Sequence, residues 1–298
     1  MSGSVTPNSS SISSVTVYAT RDEEASVKES PKFVDWDSPN DPQNPRNWSF
    51  QHKWVTTVLV SLFAFMSSLA SSMVAPALPQ IAEEFRLERG STLEAMTLSG
   101  PLSELHGRRL ILQGANVFFL AFNIACSRAQ SGSQLLAFRF LAGLGGSAPL
   151  AIGGGTLADV WTAEERGMAM SLYSLAPLSG PALGPVAGAW IAEKTTWRWV
   201  FYSTSLADGI VQLVGLWYLT ETYAPTLLAE KARILRASTS DDTLCTVHEH
   251  KRKGVSNWSF ITSSLLRSIK FLLFDPVMTV MAMYMAVIYG TMYLQLTS

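Results

Sequence analysis

Charge is scarce in this chain. Asp, Glu, Lys and Arg together make up 15% of its 298 residues, against 48% hydrophobic residues. The mean hydropathy of +0.19 averages in a polar N-terminal region, so the remainder is strongly apolar and belongs to the membrane class. A net charge of −1 supplies no basic surplus for a nucleic-acid partner. Cysteine is limited to Cys126 and Cys245, which excludes a disulfide framework or a cysteine-based metal cluster. His52, His106, His248 and His250 lack metal spacing, and no metal or cofactor is expected. The glycine-rich lysine loop of nucleotide-driven pumps is absent, and Gly153, Gly154 and Gly155 fall in an apolar run instead of after a strand. No nucleophile–base set is visible, so the chain does not read as an enzyme. Residues 1–47 contain no apolar signal-peptide core and few large apolar side chains. They are expected to form a disordered tail of cytoplasmic type.

What is present is a series of apolar runs, at 54–74, 110–126, 135–160, 168–191, 200–219 and 277–296. A helix crosses the hydrocarbon core with roughly 20 apolar residues, and these runs meet or approach that length. They predict an all-α membrane protein: a bundle of five spans over 48–219, a basic central loop over 220–276, and one further span over 277–298. Segment 81–103 carries Glu83, Glu84, Arg86, Glu88, Arg89 and Glu94. At about 2.5–3.5 kcal/mol per charge at a helix centre, it cannot span a bilayer.

Four motifs stand out. Gly100, Glu104, Gly107, Arg108 and Arg109 form a polar turn that runs directly into an apolar helix. The glycines permit a tight turn, the arginines orient the chain, and Glu104 can pair with a base or face a helix N-terminus; an ordinary basic loop is the plainer alternative. Arg139 lies near the start of an apolar run, where it is either functional or snorkels to the interface. Gly180, Gly184 and Gly188 recur every fourth residue among Pro177, Pro181 and Pro185. They place small residues on one helix face for close packing, and the prolines remove backbone donors. Asp208 sits mid-span with Gln212 one turn later. It is either a proton-binding carboxyl or half of a structural hydrogen-bonded pair. Asn8, Asn47 and Asn257 head glycosylation sequons that matter only if those segments reach the lumen.

Taken together, these residues resemble the fungal, twelve-span drug:proton antiporter branch of the major facilitator superfamily. The order of Gly100, Glu104, Gly107, Arg108 and Arg109 is similar to the loop between that family's second and third helices, with Glu104 where Asp is commoner. The Gly-Pro pattern around Gly180 is similar to the family's fifth, antiporter-type helix. Local matches at 41–49, 75–79, 197–201 and 221–225 extend the resemblance from about Asp35 to the end. The resemblance implies export of small hydrophobic compounds or secondary metabolites across the plasma membrane, driven by protons. Arg139 and Asp208 are then the coupling or substrate candidates, and the partners are membrane lipid, a small hydrophobic substrate and protons. Two departures modify this expectation. The family's second helix is missing, since Ser99 runs directly into Gly100, and the residues stop after the equivalent of the seventh helix. The expectation is therefore the N-terminal half of the fold plus one helix, with impaired transport, or alternatively a non-transporting remnant or modulator of an intact paralogue. Five spans between the tail and the basic loop would also put those two segments on opposite sides of the membrane, against the charge bias.

Overall fold

The structure is a computed structural model. It describes residues 32–85, 107–239, 244–246 and 273–297, with single positions at 249, 263, 266 and 270. Helices α1 (Phe50–Ser72) and α2 (Leu78–Phe85) are followed by α3 (Arg108–Ser127), α4 (Gly132–Val160), α5 (Arg166–Lys194), α6 (Trp197–Tyr218), α7 (Ala224–Thr239) and α8 (Pro276–Thr297). Two short strands, β1 (Lys32–Phe33) and β2 (Leu244–Cys245), pair in parallel.

Local chemistry sets the helix boundaries. Ser49 and Ser131 accept N–H bonds from His52 and Gln134, at 3.4 and 3.3 Å, and so cap α1 and α4. Pro76 lies in the 3-10 turn Ala75–Ala77, where the missing N–H does no harm, and this turn separates α1 from α2. Gly107 precedes α3 at φ 89°, a left-handed conformation that a side chain rarely adopts. Three helices among the described residues are long and apolar enough to cross a membrane by length and composition: the α1–α2 stretch, α3 and α4. The runs at 168–191 and 200–219 do form long helices. Pro and Gly in α5, and the polar residues Arg198, Asp208 and Gln212 in α6, dilute their hydropathy.

Helix direction follows from the contacts at each end. At one end Lys53 pairs with Glu165 at 3.8 Å, His52 meets Thr220 at 3.1 Å, and Arg108 pairs with Asp159 at 3.1 Å. At the other, Arg198 pairs with Glu84 at 2.7 Å and donates to the Ala129 carbonyl, and Gln80 donates to the Ala192 carbonyl. Both α1 and α3 therefore run from the Arg108 end to the Arg198 end. Phe85 and Gly107 stand at opposite ends. This corrects the expected parity. The N-terminal segment and the central segment lie at the same end, because interlocking helix faces fix the direction of α1 and α3. One apolar cluster, with Phe63, Leu112, Leu157 and Trp161, fills the Arg108 end, and another, with Met73, Ile81, Trp197 and Phe201, fills the Arg198 end.

Residues 32–47 pack although their composition suggests no core of their own. Val34, Asp41 and Pro45 are buried against the central segment and the bundle end, so the order comes from docking. Helix α8 keeps most of its described apolar side chains exposed, as its composition requires of a helix surrounded by lipid.

Candidate functional site

The Arg108 corner gathers three helices and the start of the central segment. The Glu221 carboxylate accepts the backbone N–H groups of Arg108 and Arg109 at 2.9 and 3.2 Å, capping the positive end of α3. It also accepts the N–H groups of Thr222 and Tyr223, at 3.1 and 2.9 Å. A Cβ on Gly107 would stand 2.6 Å from a Glu221 oxygen, so only glycine admits this cap. The Arg108 guanidinium bonds Asp159, lies 5.2 Å from the Tyr223 ring centre, and occupies space left by the missing side chain of Gly155. Arg109 donates to the Leu216 carbonyl at 3.3 Å. Gly100 and Glu104 lie outside the described residues.

Helix α5 packs on α1 through the face carrying Gly180, Gly184 and Gly188. A Cβ on Gly180 would meet Ser68 at 2.7 Å, one on Gly184 would collide with Ser72, and one on Gly188 with the Met73 carbonyl. The prolines and serines complement each other. Pro181 has no N–H for the Pro177 carbonyl, and the Ser68 hydroxyl donates to that carbonyl at 2.9 Å. Ser72 donates to the Gly180 carbonyl at 3.0 Å, and Ser67 to the Gly146 carbonyl of α4 at 2.6 Å. Three serines of α1 thus hold two glycine-bearing helices close.

Between α3 and α6 runs a buried polar seam. The Asn116 amide donates to both Asp208 oxygens, at 3.2 and 3.3 Å, and to the Gln212 oxygen at 2.9 Å. Gln113 donates to the Gly215 carbonyl at 2.7 Å, and Gln212 to the Gln113 carbonyl at 3.5 Å. Two turns along α3, the Asn123 amide reaches Thr204 and Ser205, each at 2.9 Å, and its oxygen is left without a partner. Asp208 is 0% exposed, and among the described residues no cation pairs with it. Its carboxylate depends on one amide that serves three acceptors. The side chain is a hydrogen-bonded member of a pair, as one reading of the sequence had it, and is also short of donors.

Arg139 sits elsewhere. Its guanidinium donates to the Ala70 and Ser71 carbonyls, at 3.3 and 3.4 Å, and lies 5.4 Å from the Phe201 ring centre. It therefore caps the negative C-terminal end of α1. Asn47 uses its amide to close a turn, donating to the Pro39 and Asp41 carbonyls at 2.8 and 3.0 Å. Asn8 and Asn257 lie outside the described residues. No group of three or more potential metal ligands occurs among the described residues.

Asp159 belongs to none of the sequence motifs, and Glu165, Gly155 and Lys231 read in the sequence only as parts of a polar loop, a glycine run and a basic segment. Asp159 and Glu165 bracket the polar break between two apolar runs, and that placement beside an arginine-bearing loop is the signal that could have found them. Glu221 was visible only as part of a local pattern.

The Major Facilitator Superfamily profile matches residues 60–298. An uncharacterized transporter of Schizosaccharomyces pombe is 43% identical over 288 residues, covering 92% of this chain and 58% of the relative. Efflux pump vrtL of Penicillium aethiopicum is 42% identical over 276 residues, covering 89% of this chain and 54% of the pump. Efflux pump radE of Floropilus chiversii is 38% identical over 281 residues, covering 90% and 52%. The chain thus spans about half the length of the curated relatives it matches, and within that span it carries a multi-pass membrane bundle with a glutamate-capped helix corner at Arg108 and a glycine–proline packing face. The chain belongs to the Major Facilitator Superfamily.

Proposed function

We propose that the chain serves proton-coupled export of small hydrophobic compounds across the plasma membrane, as the N-terminal portion of an antiporter of the fungal drug:proton type. The observation that carries this reading is Asp208, a carboxyl buried within a membrane helix and sharing one amide donor. An intramembrane acid that no cation neutralises is suited to taking up and releasing a proton. The side-chain amides of Asn116 and Gln212 surround the carboxyl and steady either form. Arg139 acts at a distance from it by holding the end of α1, whose serine face the antiporter-type helix α5 grips. The relatives named as efflux pumps support the direction of transport and a small-molecule substrate.

A second reading is favoured by the charged sequence between Phe85 and Gly107, two residues that stand at opposite ends of the bundle. There the 298-residue product does not transport and instead modulates an intact paralogue. The test expresses the gene in a pump-deficient yeast and follows a hydrophobic dye. The first reading expects efflux that collapses on adding a protonophore and falls at least about tenfold with Asp208→Asn, the scale of losing an essential proton carrier. Efflux indifferent to both treatments would sink it. Absence of efflux from the 298-residue chain, with altered efflux by a co-expressed paralogue, selects the second.

A further inference from the structure

The surface formed by residues 32–47 and the central segment has no role in the transport reading. Lys231 on α7 is only 13% exposed at its side chain, although it carries a charge. Its ammonium group bonds Asp37 at 2.8 Å, Asp41 at 3.4 Å and the Asp35 carbonyl at 3.3 Å. Asp41 is itself 4% exposed and fixed from several sides. Its carboxylate accepts the N–H groups of Gln43 at 2.9 Å and Asp37 at 3.1 Å, and the Asn47 amide clamps its carbonyl. A few residues away β1 lies along β2, and the Val34 N–H continues the ladder onto the Cys245 carbonyl at 3.0 Å. Val34 of this strap and Ala232, Cys245 and Thr246 of the central segment are all buried.

Three features distinguish this contact from an exposed ion pair. A buried ammonium is retained only where anions or carbonyls replace its water, and here all three partners come from residues 35–41. The two contact patches lie on different parts of the central segment, α7 and β2, so the strap bridges them. And α7 begins directly after the segment in which Glu221 holds the α3 N-terminus and Tyr223 lies against the Arg108 side chain. Whatever fixes α7 also fixes the position of the Glu221 cap.

We propose that residues 32–47 are a clasp that holds the central segment against the Arg108 end of the bundle, with Lys231 seated between Asp37 and Asp41 as its catch. Lys231 and Asp41 are positioning residues: they act through α7 on Glu221 and touch no substrate. Loosening the catch frees α7 and β2 while leaving the helical bundle intact.

The chain carries its own reporters, since its two cysteines sit one on each side of this division. Cys245 lies under the clasp and Cys126 in the bundle core. In the full chain, with Cys126 replaced by Ser, a water-soluble maleimide should label Cys245 slowly. Lys231→Met removes the charge but keeps the apolar stem, and should speed labelling about tenfold, as for a weakened local opening. Lys231→Arg, which still reaches both carboxylates, should label like the parent. In the matching series with Cys245 replaced by Ser, Cys126 should stay protected in every variant. Unchanged Cys245 labelling in Lys231→Met overturns the clasp. Equal labelling in the Met and Arg variants overturns the role of the charge, and joint exposure of both thiols overturns a local device.

Discussion

Asp41 and Lys231 perturb each other in opposite directions, and that fixes how the clasp answers pH. The N–H groups of Gln43 and Asp37 hold the Asp41 carboxyl below the usual carboxylate range, burial opposes them, and Lys231 adds to the lowering. For Lys231, burial alone would lower the ammonium, but Asp37 and Asp41 outweigh it and raise the group above its ordinary value. A depressed acid contributes stability that is complete above its unfolded value and is lost as pH falls through the folded one. A raised base contributes stability that is complete below its unfolded value and is lost as pH rises through the folded one. Among the described residues the charged groups paired in this contact are Asp37, Asp41 and Lys231, so protection of Cys245 should be flat from about pH 5 to pH 9, between the ordinary carboxylate and lysine values. It should fail only below the usual carboxylate range or above the usual lysine range. The measurement is Cys245 reaction with an aromatic disulfide reagent, normalised at each pH to the unfolded chain. A midpoint near pH 6.5 would assign the contact to another group.

At the scale of elements, the packing of α5 on α1 was the most legible feature. Gly180, Gly184 and Gly188 at four-residue spacing predict a close helix contact, and the structure places each against α1. The choice of α1 was not legible, because Ser67, Ser68 and Ser72 have no visible partner until Pro181 exposes a carbonyl for Ser68 to meet. The same holds for the seam of α3 and α6. Asp208 and Gln212 were readable as one face, but Asn116 became their partner only when two helices far apart in sequence were brought side by side. Docking of residues 32–47 was illegible for a different reason. Their order comes from ion pairs and a two-residue strand pairing, and neither leaves an apolar period. The α5 face gives a direct test. Gly184→Val puts a branched side chain where even a Cβ collides with Ser72 and crowds the Met73 backbone, which is overpacking worth about 1–3 kcal/mol. Thermal unfolding in detergent should show a lowered Tm. Gly167→Ala, on the same helix but open to space, should be neutral or stabilising by up to about 1 kcal/mol. Equal Tm values for the two variants would remove close packing as the reason for the glycines.

At the scale of the whole molecule, the direction of α1 is the decisive property. Counting apolar runs separated the N-terminal segment from the central segment by an odd number of crossings. The contacts bring them to one end: His52 of α1 meets Thr220, and Lys231 of α7 meets Asp41. That end holds Lys53, Arg108, Arg109 and Arg166 as well as Lys231, Arg233 and Arg236, whereas Arg128, Lys194 and Arg198 lie at the other. The bias toward the first end is the pattern that the positive-inside tendency expects of a cytoplasmic face. Phe85 and Gly107 then stand at opposite ends, and the charges in the sequence between them disfavour a crossing. Two forces therefore compete over α1: its serine-lined fit to α5 and α4, and the insertion preference of the segment that follows it. Single cysteines in a chain without Cys126 and Cys245 separate them. Introduced at Ser49 and Ala163, they should react with an impermeant maleimide only from the cytoplasmic face of sealed vesicles, and at Gln130 and Thr195 only from the opposite face. Reaction of the Ser49 position from the same face as Gln130 would mean that α1 inserts inverted, and that the fit between α1 and α5 yields to the charged segment.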